Sequence, residues 1–145
     1  MEAAVIDYSD KDRSAELCQI LFRDCPDYRQ WRDAVPAGSK PDVVSLNNLC
    51  EDFGVFMAGE FGAGRVRELI PAFGAIDAFM SSHDEARVSC AVDRLFDAFL
   101  IEASKRSPDY GSLWTLLPHA LERKLNWAMG RVLPADNPYP IDGFY

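Results

Sequence analysis

The stretch Val88-Ser89-Cys90-Ala91-Val92-Asp93-Arg94-Leu95-Phe96-Asp97-Ala98-Phe99 decides the fold class. Its apolar residues Val88, Ala91, Val92, Leu95, Phe96 and Phe99 recur in steps of three and four. That spacing lines one face of an α-helix, whereas a half-buried strand needs strict alternation. Arg87, Asp93, Arg94 and Asp97 fall on the remaining arc and are expected to face water. Ser82 and Glu85, just upstream, read as a capping box and would leave His83 exposed. Lys105 and Arg106, ahead of Pro108 and Gly111, mark the other end.

The same periodicity extends outward in both directions. Val66, Leu69, Ile70, Phe73, Ile76 and Met80 form one stripe, in which Pro71 either kinks a helix or opens a second one. Leu46, Leu49, Cys50, Phe53, Met57 and Phe61 form another, starting near Asp42 or Ser45 and ending at Gly62-Ala63-Gly64. Gly54 and Gly59 inside it, costly in a helix interior, point to close packing by a neighbour. Ser9 opens an N-terminal helix through Leu17, Cys18, Leu21 and Phe22, which Pro26 stops. A short helical turn should follow, with Tyr28, Trp31 and Val35 on one side, before a loop at Pro36, Gly38 and Pro41. Leu113, Leu117, Leu121, Leu125 and Ala128 give the last stripe, with Pro118 at its start and Gly130 at its stop.

No segment alternates as a strand does. The expectation is therefore an all-α fold: a single domain over residues 1–130, with about five to six helices in a bundle or in stacked antiparallel pairs. An irregular tail, residues 131–145, carries Pro134, Pro138 and Pro140 with Tyr139, Phe144 and Tyr145.

At 145 residues and 48% apolar content, the chain can bury a core without disulfides or metals. Cys18, Cys25, Cys50 and Cys90 have no CxxC spacing and read as reduced thiols. The N-terminus lacks a basic region followed by an apolar run, and no stretch approaches the length of a membrane span. A cytoplasmic protein is expected. The net charge of −8 disfavours direct nucleic-acid binding and an anionic membrane surface, and it would speed encounter with a basic partner. Residues 1–60 hold 12 acids against 6 bases, a net −6, whereas residues 61–145 hold 11 against 9, a net −2. An acidic recognition face is thus expected in the N-terminal half.

Catalytic signatures are sparse. His83 and His119 belong to different segments, and no zinc-protease, phosphate-loop or nucleophile-elbow motif occurs. Gly59-Glu60-Phe61-Gly62-Ala63-Gly64 follows a helical segment and reads as an interhelical turn, since a dinucleotide loop follows a strand. Asp93 and Asp97 share a helix face but lack the Glu and Glu-x-x-His partners of a helical di-metal site, so a solvated pair is expected. No enzyme activity, cofactor or metal is expected. Asp24, Asp27, Tyr28, Trp31 and Asp33 are the candidate partner-binding residues, because they combine acids with aromatics of the kind that anchor interfaces. The competing reading places Tyr28, Trp31 and Val35 in the core. The tail from Asp136 to Tyr145 is a second candidate, read alternatively as strapped over its own domain.

The order of segments bears a resemblance to a family. Pro26-Asp27-Tyr28 closes the first helix, and helices through Leu49 and Phe53 and from Phe73 to Met80 follow. Next come Ser82-x-Asp84-Glu85, leading to Val88, Val92, Phe96 and Phe99, and a Leu116-Leu117-Pro118 segment ending near Trp127. Over residues 15–130 this resembles small, acidic, helical bacterial proteins, similar in kind to the immunity proteins of polymorphic-toxin and secretion-system loci. Tyr28 and its acidic-aromatic surroundings depart from the simpler Pro-Glu-Leu typical there, and the proline-rich tail has no counterpart. The resemblance implies a non-enzymatic protein that masks a toxin with a basic surface, and it assigns no individual binding residue. The alternative is a helical adaptor or regulatory module for another cellular protein; an enzyme or small-ligand binder with an unrecognised site is the third class.

Overall fold

The structure, a computed structural model, describes residues 2–34, 45–106 and 110–132. Among these residues seven α-helices form and no strand does. They are α1 (Glu2–Asp24), α2 (Pro26–Ala34), α3 (Leu46–Gly62), α4 (Ile70–Ser82), α5 (Ala86–Ala103), α6 (Gly111–Trp114) and α7 (His119–Val132). The chain is an all-α single domain, as its periodicity predicts. Val35, the Pro36–Pro41 loop, Pro108 and residues 133–145 of the expected tail lie outside the described residues.

Local signals account for most boundaries. Pro26 ends α1 and opens α2, leaving Cys25 as the sole joint, and the Cys25 amide still reaches Leu21 O at 2.8 Å. Ser45 caps α3 by accepting from the Asn48 amide at 3.0 Å. At the other end of α3, Gly64 sits at φ 80°, with Gly64 N–H bonded to Phe61 O and Arg65 N–H to Glu60 O. This is a Schellman stop, which needs a residue without a Cβ penalty at that point. Pro71 opens rather than kinks: a 3-10 turn over Val66–Leu69 leads into α4, with the proline in its first turn.

Four expectations are corrected. Ser9 does not open α1, which runs through it from Glu2. Ser82 caps nothing: it is the last residue of α4, because the His83 amide continues that helix's bonding to Phe79 O. Glu85 is itself the N-cap of α5 and makes no capping bond, since its carboxylate is taken by Arg13 of α1 at 2.9 and 3.1 Å. His83 is accordingly mostly covered, with Nε2 at 2.8 Å from Glu16 and its ring against Phe79. Gly130 does not stop α7, which runs on to Val132.

The principal packing joins every second helix rather than chain neighbours. α3 lies against α5 and α5 against α7, while α1 packs on α4, α2 and α3. Lys124 reaches Ser89 and Asp93, and Arg131 reaches Asp97, so α5 and α7 run in the same direction. Asp93 and Asp97 therefore do not form a solvated pair: each binds a cation of α7, at 2.9 and 2.6 Å. The arrangement is a bundle, not a stack of antiparallel neighbours. Its core holds Leu17, Leu21, Phe53, Phe73, Phe96, Phe99, Leu121 and Leu125, all fully buried. Gly54 marks a close approach of α3 to α5, since a Cβ there would stand 2.3 Å from Leu95 O. Gly59 has open space around the same position and packs against nothing.

Candidate partner-binding surface

The sequence singles out the segment from Asp24 to Asp33, and the structure splits those residues between core and surface. Tyr28 is fully buried, which corrects its assignment as a partner contact: its ring is enclosed by Phe22, Phe53, Phe56 and Trp31, with centroids 4.9 to 6.1 Å away. Its hydroxyl donates to Asp52 Oδ2 at 2.7 Å. Burial, and then the adjacent Asp52 charge, push that hydroxyl well above the usual phenol range, so it remains a neutral donor. Arg32, one turn further along α2, also pairs with the Asp52 carboxylate. Trp31 is half-buried, stacked on Tyr28 and tilted against Phe56. α2 is thus clamped to α3 through a buried carboxylate that accepts both a phenol and a guanidinium.

The acids lie outside this clamp. Asp24, at the end of α1, is bound by Arg23 through two bonds of 2.9 and 3.0 Å, which hold its carboxyl below the usual range. Asp27 and Asp33 are exposed, but six residues along a helix turn the face by about 120°, so they point apart. Asp33 lies 4.0 Å from Arg29 on its own helix. Asp27 instead joins Glu60 of α3 and Glu68 of the 3-10 turn, with carboxylate oxygens within 4.8 Å of one another. Acids this close would suit a shared cation, and the chain supplies one: Arg65 bonds both oxygens of Glu60, at 2.5 and 3.1 Å, and lies 3.7 Å from Glu68. The Schellman stop of α3 places Arg65 directly after the turn and so sets this geometry.

Glu60, Glu68, Asp52 and Arg65 were not among the candidate partner-binding residues read from the sequence, and Arg32 entered only as part of the stretch from Asp24 to Asp33. A signal existed for two of them. Asp52 is three residues from Leu49 and four from Phe56, and Glu60 is three from Met57, so both carboxylates sit on the apolar side of α3. An acid there must find a buried or half-buried partner.

Elsewhere, the described residues place His83 and His119 on separate elements, each near a glutamate: Glu16 at 2.8 Å and Glu122 at 3.9 Å. All four thiols are free, with Cys25 and Cys50 buried, Cys18 half-buried and Cys90 exposed. Burial pushes the Cys50 thiol up to about 12 and raises Cys18 and Cys25 as well. No helix among the described residues is long and apolar enough to cross a membrane.

No protein-family model matches the chain, and neither a curated protein nor a solved structure does.

Proposed function

We propose that the protein is a non-enzymatic binding protein, an immunity-type inhibitor that recognises a basic toxin through the cluster of Asp27, Glu60 and Glu68. The observation supporting this reading is the convergence of three carboxylates from three elements around one arginine, which leaves local negative charge on a chain of net −8. Asp27 and Glu68 are exposed, whereas Glu60 is buried and holds Arg65 in place. The clamp beneath α2 fixes Asp27 before any encounter, and fixed charges steer association without an ordering cost at contact. Inhibition follows by covering the basic surface with which such a toxin grips its own substrate. The expected setting is the cytoplasm.

The test is co-expression with the product of the adjacent open reading frame. The inhibitor reading expects that product to be toxic alone and harmless with this chain. Stopped-flow mixing of the purified pair should then show slower association and a flatter salt dependence for Asp27→Asn/Glu68→Gln. An adjacent product whose toxicity this chain does not relieve would sink the inhibitor reading and return the adaptor reading to first place.

A further inference from the structure

The outer side of the α3–α5 pair carries a cleft of about 570 Å³, built from residues other than those of the acid cluster. Its floor is apolar: Val55 and Ile101 are 37% and 52% exposed, and Ala98 lines the cleft with them. Its charges are balanced pair by pair. Glu51 faces Arg94 at 2.9 Å, Asp97 faces Arg131 at 2.6 Å, and Glu102 faces Lys105 at 3.1 Å. A strongly basic or acidic partner therefore gains little net attraction here. A chain of net −8 repels its own copies, and a locally neutral patch is where that repulsion is weakest.

The order of charges along α5 selects the occupant. Arg94 stands four residues before Ala98 and Glu102 four residues after it, roughly 6 Å to either side. Residues four apart share a helix face, and all three line the cleft. This pattern matches itself when reversed. A second α5 laid antiparallel about Ala98 sets Arg94 of each copy against Glu102 of the other, so the contact forms twice. A parallel copy sets Arg94 against Arg94 and Glu102 against Glu102. Arg94 and Glu102 keep 54% and 35% of their side chains exposed, which leaves room for a new partner beside the one each already holds. Each new pair would join the Glu51–Arg94 pair of one copy to the Glu102–Lys105 pair of the other, a run of four alternating charges. The small side chain of Ala98 at the axis lets the two helices approach, with Val55 and Ile101 between the flanking ion pairs.

We propose that the chain forms a symmetric dimer through the α3–α5 cleft, with α5 antiparallel to its counterpart about Ala98. The same patch serves both copies, as a closed two-fold interface requires. Val55 and Ile101 of both copies leave water together, and the paired charges fix the register. Asp27, Glu60 and Glu68 take no part, so the dimer stands independently of the proposed inhibitor role.

The experiment is analytical ultracentrifugation of the full-length chain over a concentration series. The mass should rise with concentration from that of one chain and level at that of two. Arg94→Glu opposes two acids across the axis and Glu102→Arg opposes two bases, so each alone should weaken association by about tenfold or more. Arg94→Glu/Glu102→Arg restores opposite charges with the polarity reversed and should recover most of the lost affinity. Thermal melts of each variant check the fold, and a general loss of stability would not be rescued by the second substitution. The mass of one chain at every concentration would overturn the proposal. So would a dimer indifferent to both single variants, which places the interface on another face, and a double variant no tighter than the singles, which removes the antiparallel register. Mass growing past two chains would overturn the closed two-fold arrangement.

Discussion

Tyr28 and Asp52, twenty-four residues apart, share a hydrogen bond of 2.7 Å beneath the surface of α2, and Arg32 meets the same carboxylate. A buried carboxylate with two donors is stable only while both remain. Removing the acid leaves the guanidinium of Arg32 mostly buried without it, so Asp52→Ala should cost about 3–5 kcal/mol in urea unfolding. Tyr28→Phe keeps the ring and loses one bond to a charged group, at a cost of about 1.5–3 kcal/mol. A loss under about 1 kcal/mol for Asp52→Ala would mean that Arg32 swings out to water and that the clamp contributes little.

Phe99 tests the core at a different place. It is fully buried on α5 and meets Phe61 and Tyr110 at 5.5 and 6.1 Å, tying α3 and the α6 region to α5. Phe99→Ala should cost about 3–5 kcal/mol, and Phe96→Ala, equally buried, a similar amount. Reversible thermal or urea melts measure both. A loss below about 1 kcal/mol at Phe99 would show that the site collapses around the missing ring.

The longer elements were legible because α3, α4, α5 and α7 each carry a stripe, and a stripe is a local property, whereas the four-residue α6 was merged into the stripe of α7. The apolar face of α5 is where the spacing of Val88 through Phe99 puts it. The partners of those stripes were not legible, because one amphipathic helix presents much the same apolar band as another, and nothing local says that α3 seeks α5 rather than α4. The same limit explains Tyr28. An aromatic amid acids and arginines has the composition of an interface anchor and of a core residue alike, and only the buried Asp52 from another helix separates the two. The capping box failed for a related reason: Glu85 had a partner seventy-two residues away in Arg13, and the tertiary ion pair took the side chain that the local motif needed. The residues of the acid cluster lie forty-one positions apart along the chain, from Asp27 to Glu68, and Glu68 falls outside the acid-rich residues 1–60, so no local pattern joins them.

The buried thiols make stability fall in alkali. A thiol whose folded pKa lies above its unfolded value contributes fully below the unfolded value and loses that contribution as pH rises toward the folded one. For Cys50 the window runs from 9.0 to about 12, and Cys18, Cys25 and Tyr28 shift in the same direction. Above pH 9 the unfolding free energy should therefore decline, Cys50 alone supplying a slope approaching about 1.4 kcal/mol per pH unit. Chemical denaturation between pH 7.5 and 10.5, repeated on Cys50→Ala, measures it. Equal slopes for the two proteins would show that Cys50 ionises as readily in the folded state as in the unfolded one.

Gly54 and Gly59 lie on the same helix, carry the same intrinsic penalty, and should respond to alanine with opposite signs. At Gly59 a Cβ meets nothing within 4 Å, so Gly59→Ala gains helix propensity alone and should stabilise by about 0.5–1 kcal/mol. At Gly54 the new carbon would stand 2.3 Å from Leu95 O and 3.1 Å from both Phe99 N and the Ala98 Cβ. Backbone atoms of α5 cannot rotate away as a side chain can, so α3 and α5 must separate along their contact. That opens space around Phe53 and Phe99 and should outweigh the propensity gain, for a net loss of about 1–3 kcal/mol. Denaturant midpoints of the two single variants give the contrast directly, and the double variant should lie at their sum, because open space around Gly59 leaves nothing for it to share with Gly54. Stabilisation by both would mean that α3 and α5 pack more loosely at Gly54 than their backbones indicate. Destabilisation by both would mean that Gly59 touches a neighbour.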